Sequence, residues 1–186
     1  MALETAFKAL SNHLRALHEA LIGLRTTVVE DKPLRGDVVL VDVFGDAADD
    51  LLGWLEEACA AAGEGQQAAR HPIDLDRVGR SLTTCQERFN RITHRFSSDL
   101  VRYERIAELT RFGRTHGGEW RGWANSVKTG LDWCAQPLYD VGQSLFECWQ
   151  EIAERVGTTS VSVQTTNIGQ QLTIPHEGST LHEEIA

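Results

Sequence analysis

Residues 3–28, LETAFKALSNHLRALHEALIGLRTTV, decide the fold class. Leu3, Phe7, Leu10, Leu14, Leu17, Leu21, Leu24 and Val28 recur at alternating intervals of four and three, which lines them up along one side of a helix. Such a stripe has to be covered. Other helices of the same chain can do this, or a second chain can do it in a coiled coil, and four heptads are too short to decide. Burial within the chain is the expectation. The helix should stop near Glu30-Asp31-Lys32-Pro33, because proline lacks a donor and disfavours helix in the residue before it.

Beyond that stop, residues 34–45, LRGDVVLVDVFG, are rich in β-branched side chains between glycines and read as a short extended segment. Asp46 then suits an N-cap, with Asp49 and Asp50 in the first turn of a second helix reaching about Ala62. Its buried face is expected to be Ala48, Leu51, Leu52, Leu55, Ala58, Cys59 and Ala62, with Trp54 to one side. Gly63-Glu64-Gly65-Gln66-Gln67 reads as its end.

After His71-Pro72 a third helix runs to about Arg111, long for a globular domain. Leu75, Val78, Leu82, Cys85, Phe89, Ile92, Phe96, Leu100, Tyr103 and Ala107 fall within an arc of about 100°. A turn at residues 112–118 leads to a fourth helix from about Glu119 to Val156. Its apolar face gathers Trp120, Trp123, Val127, Leu131, Cys134, Leu138, Val141, Leu145, Cys148, Trp149, Ile152 and Val156, and Pro137 predicts a kink or short break. The expected fold is therefore all-α: an elongated four-helix bundle in which helices three and four form a long antiparallel hairpin, with a short extended segment and a β-prone C-terminal tail. Residues 1–156 form the helical domain. Residues 157–186 form the tail, where Val161–Thr165 and Gln171–Ile174 alternate around Asn167-Ile168-Gly169, either as a hairpin or as an acidic, unfolded end.

Charge is unevenly spread. The formal net charge of −9 weighs against a general binder of nucleic acid or anionic membrane. Acidic groups outnumber basic ones 12 to 5 over residues 1–69 and 8 to 1 over residues 131–186, but basic groups lead 12 to 7 over residues 70–130. There Arg77, Arg80, Arg88, Arg91, Arg95, Arg102 and Arg105 share an arc of about 100° on the third helix, apart from its apolar face. Guanidinium groups in a row suit phosphates or an acidic protein face. The plainer reading is neutralisation: Glu87 and Asp99 lie within helical reach, and Asp132, Asp140, Glu147, Glu151 and Glu154 form an acidic stripe on the fourth helix that can face the arginines.

Trp133, Tyr139 and Phe146 project away from the main apolar face of the fourth helix. They pack on the other helices or meet a partner. In the tail, Leu172 and Ile174 belong to a β-prone stretch that can add to a partner's sheet edge.

Motifs for catalysis are wanting. Cys59, Cys85, Cys134 and Cys148 lie mid-helix on apolar faces and read as free structural thiols. There is no Gly-x-Ser-x-Gly, Walker or dinucleotide glycine pattern. His13 and His18 are five apart and do not share a face, and the tail set His176, Glu177, His182, Glu183 and Glu184 reads as solvated. The turn Arg111–Gly118 needs no role beyond joining helices. No catalytic, cofactor or metal residue is assigned. With no basic, apolar leader at the start and no run of roughly 20 apolar residues, the chain reads as cytoplasmic. Arginine dominating lysine, beside abundant Ala and Gly, points to a GC-rich bacterial genome. The expected function is a non-catalytic helical adaptor or scaffold whose partner is another protein or further copies of itself. The alternatives are a self-assembling structural homo-oligomer and, behind it, nucleic-acid binding through the arginine stripe.

Overall fold

A computed structural model describes residues 3–31, 39–70, 72–100, 108, 110, 111, 113–115 and 117–157, with the backbone alone for 39–44, 99 and 100. Among these residues the chain is all-α. Four long helices account for most of them: α1 Leu3–Arg25, α2 Val39–Ala68, α3 Leu75–Arg95 and α4 Gly118–Val156. Wide π-helical turns, Thr26–Glu30 and Phe96–Leu100, extend α1 and α3. No helix among the described residues is long and apolar enough to cross a membrane.

Every member of the α1 stripe, from Leu3 to Val28, is buried inside this one chain. The stripe therefore belongs to an internal core that also draws on α2, α3 and α4. Cross-helix contacts fix the directions. Glu4 pairs with Arg70 and Arg25 with Asp49, so α1 and α2 are antiparallel. Arg88 pairs with Glu57 and Arg95 with Asp50, so α2 and α3 are antiparallel too. His13 bonds to Ser144, and the Trp123 indole donates to the Thr27 carbonyl at 2.9 Å, which sets α4 antiparallel to α1.

Two expectations change at α2. Of residues 34–45, expected as extended, 39–45 are helical and 34–38 lie outside the described residues, so Asp46 stands inside α2 and is not its N-cap. A lone strand would leave its backbone donors and acceptors without a sheet, whereas a helix satisfies them internally, so β-branched composition loses to hydrogen bonding. At the other end the helix runs through the glycines to Ala68, six residues past Ala62. Gly65 is buried there because the Phe7 ring of α1 packs onto it, leaving no space for a side chain. The glycine serves close packing, not termination.

The expected α3–α4 hairpin rests partly on residues outside those described. The principal partnerships are α2 with α3 and α1 with α4, followed by α1 with α2, while the described parts of α3 and α4 share a much smaller contact. Asp74 caps α3 by accepting from the Arg77 amide at 3.0 Å. Leu75, assigned to the core face, sits in this first turn and is 37% exposed. The boundaries of α4 agree with expectation to within a residue, and the helix is continuous through Pro137, without a break. Gly117, at φ +98°, turns the chain into α4, and Gly157, at φ +72°, closes it in the left-handed conformation that glycine adopts without strain. Residues 113–115, expected as turn, are helical. A Cβ on Gly113 would come within 2.8 Å of the Trp120 carbonyl oxygen, so this glycine too admits a close approach.

Candidate functional site

The outward side of α4 is the best candidate. Its inner side buries Trp120, Trp123, Val127, Leu131, Cys134, Leu138, Val141, Leu145 and Cys148. Trp149 and Ile152 are partly buried against the core, while Val156, also placed on that face, is 55% exposed where the helix ends. Opposite this core, Trp133 is 72% and Tyr139 52% exposed, the two most exposed aromatic side chains among the described residues. Phe146, expected beside them, is half-buried.

Polar side chains around these rings are held along the helix. Lys128 donates to Asp132 at 3.2 Å, Gln136 to Asp140 at 2.8 Å and Gln143 to Glu147 at 3.1 Å, each spanning one helical turn. Further on, Arg155 pairs with Glu151 at 2.6 Å. Four of the five carboxylates expected to meet the arginine stripe, Asp132, Asp140, Glu147 and Glu151, thus have partners on their own helix. What results is a surface of exposed aromatics among carboxylates and amides, with the one lysine of the helix already paired. Its signal was in the sequence: Gln136, Tyr139 and Asp140 are repeated seven residues on as Gln143, Phe146 and Glu147, an amide–aromatic–acid pattern beside the core heptads.

The arginine stripe divides. Arg88 and Arg95 are half-buried and clamp α3 onto α2, at 2.5 Å from Glu57 and 3.2 Å from Asp50. Arg77, Arg80 and Arg91 are exposed. Arg102 and Arg105, like Leu172, Ile174 and the tail as a whole beyond Gly157, lie outside the described residues, as do the tail histidines and glutamates. Arg88 and Arg95 thus meet carboxylates on α2, the helix that α3 packs against most extensively.

Cys85, Cys134 and Cys148 are buried and free, and burial pushes each thiol up to about 12. They are protonated at neutral pH and closed to reagents. Cys59 is half-buried, and its thiol is raised by burial against the opposing charge of Arg15. Trp54 packs on the core from the side of α2. His13 is taken up by Ser144, at 2.7 Å, and His18 lies 3.9 Å from Glu56. Among the described residues no three His, Cys, Asp or Glu side chains are grouped to hold a metal ion. Comparison with known proteins finds no family model, no curated protein and no solved structure that matches this chain.

Proposed function

We propose that this protein is a non-catalytic helical adaptor or scaffold, an elongated four-helix bundle of a bacterial cytoplasmic assembly, whose docking face is the outward side of α4. One observation carries the reading: Trp133 and Tyr139 stand 72% and 52% exposed, on the two flanks of the outward side of α4, about 120° apart around the helix. Large exposed rings cost solvation that a partner recovers, and tryptophan and tyrosine are enriched among the few residues that dominate binding energy. Asp132, Asp140 and Glu147 around them suit a partner presenting lysine or arginine beside an apolar ridge. The α1 stripe is buried within this one chain, which weighs against self-assembly through it.

The test is affinity capture from the native host with the parent chain and with a Trp133→Ala/Tyr139→Ala variant. The variant keeps its melting temperature, because both rings lie outside the core. It loses the partner that the parent retains, each truncation weakening binding by roughly thirtyfold. Equal capture of that partner by both proteins overturns the assignment. A parent that recovers only further copies of itself, and loses them in the variant, moves the reading to the homo-oligomer.

A further inference from the structure

The outer groove between α1 and α2 is crossed by polar contacts at three levels. Glu4–Arg70, at 3.1 Å, closes one end, His18–Glu56 crosses the middle and Arg25–Asp49 closes the other end. Between the first two a crevice of about 430 Å³ opens. Two helical faces meet there, each with the spacing i, i+4, i+7: Ser11, Arg15 and His18 from α1, and Cys59, Gly63 and Gln66 from α2. The gap exists because position 63 has no side chain, and a Cβ there would meet nothing within 4 Å.

Two polar groups in the lining lack a partner of their own among the described residues. The Ser11 hydroxyl oxygen is buried and makes no hydrogen bond among the described residues. Arg15 has no carboxylate at ion-pair distance among the described residues. Its guanidinium lies close enough to Cys59 to counter the effect of burial on that thiol. Gln66 adds an amide on the facing wall. Glu56 is the acidic exception, but its side chain is 72% exposed at the rim and is turned to His18. A hydroxyl left unbonded in a partly desolvated place is costly, and the guanidinium beside it can pair with an anionic acceptor. Of the lining residues only Arg15 and Glu56 carry formal charge, so the crevice is neutral in a chain whose net charge is −9.

We propose that this crevice binds a small oxyanion, a carboxylate or a phosphate, through the guanidinium of Arg15, the hydroxyl of Ser11 and the side-chain amide of Gln66, with the Cys59 thiol forming one wall. The site does not depend on the α4 docking face and lies on other helices. Cys59 provides a built-in reporter, being the one cysteine of the four that is not fully buried.

The full-length, isotope-labelled protein is titrated with inorganic phosphate in one arm and with succinate in the other. Backbone and side-chain amide resonances of Ser11, Gly63 and Gln66 are followed, and iodoacetamide alkylation of Cys59 is timed in parallel. The expected result in at least one arm is a saturable shift with Kd of about 10 mM or tighter, and Cys59 alkylation slowed about threefold or more at saturation. Response to succinate assigns the site to carboxylates, and response to phosphate assigns it to phosphates. Arg15→Gln, an exposed position, weakens binding at least about tenfold, and Gly63→Leu, which fills open space, removes it while the melting temperature holds. No saturable shift in either arm, or parent-like binding by Arg15→Gln, overturns the proposal.

Discussion

The ring of Phe7 on α1 lies on the backbone of Gly65 in α2, in space that a Cβ at position 65 would have to share. Two residues away, Gly63 faces open space. The pair separates helix propensity from packing. Alanine is favoured over glycine in a helix by about 1 kcal/mol, so Gly63→Ala leaves stability unchanged or raises it by up to that amount. Gly65→Ala gains the same propensity but drives a methyl group into a fully buried ring, and overpacking of this kind costs about 1–3 kcal/mol. Urea denaturation of the two variants decides the matter. A Gly65→Ala protein as stable as Gly63→Ala would show that the close approach of Phe7 has no energetic weight.

His13 and Ser144 form a hydrogen bond at 2.7 Å between α1 and α4, with Ser144 almost wholly buried. Ser144→Ala removes the partner while leaving the histidine ring in place, which costs about 1–2 kcal/mol. His13→Ala costs a similar amount, and the double variant costs less than the sum, because the two side chains serve each other. Strict additivity in a double-mutant cycle would mean that the bond contributes nothing to the packing of α4.

The clamp of α3 on α2 is weaker. Arg88 is half-buried, but Glu57 has 54% of its side chain in solvent, so the charge pair is screened. A cycle of Arg88→Gln and Glu57→Gln should give a coupling of about 0.2–1 kcal/mol that shrinks in high salt. Coupling above about 2 kcal/mol, insensitive to salt, would place the pair in a drier setting than its exposure implies.

The positions that sequence reasoning reads well are those where periodicity alone suffices. All eight residues of the α1 stripe are buried, and the start and end of α4 follow from glycine at either side. Failures occur where a residue type has two physical uses. Glycine at 63–65 reads as a helix end because glycine is flexible, yet at 65 it makes room for Phe7. Valines at 39–43 read as strand because they are β-branched, yet with no sheet to join they are helical. Periodicity also names the face of a helix without naming its neighbour. Two of the α3 arginines, Arg88 and Arg95, meet carboxylates in Glu57 and Asp50 of α2. Trp133 and Tyr139 were legible as lying off the core face, but their exposure depends on how much surface the other helices cover, which no single helix encodes.

Alkaline pH offers a final measurement. Burial raises the thiols of Cys85, Cys134 and Cys148 to about 12, well above the ordinary value of a cysteine in an unfolded chain. The folded state therefore keeps protons that the unfolded state releases as pH climbs past about 9, and stability falls with rising pH. Below about pH 9 both states hold their thiol protons and this contribution is complete; it drains away between about 9 and 12, by up to about 1.4 kcal/mol per pH unit for each thiol. Lysine and tyrosine titrate in the same range, so the comparison is with Cys134→Ala, in which only one thiol is removed. Its unfolding free energy should start lower at pH 8, because a cavity replaces the sulfur, and then decline less steeply than the parent's between about pH 9 and 11. Parallel declines would mean that the Cys134 thiol ionises as readily in the folded protein as in the unfolded chain.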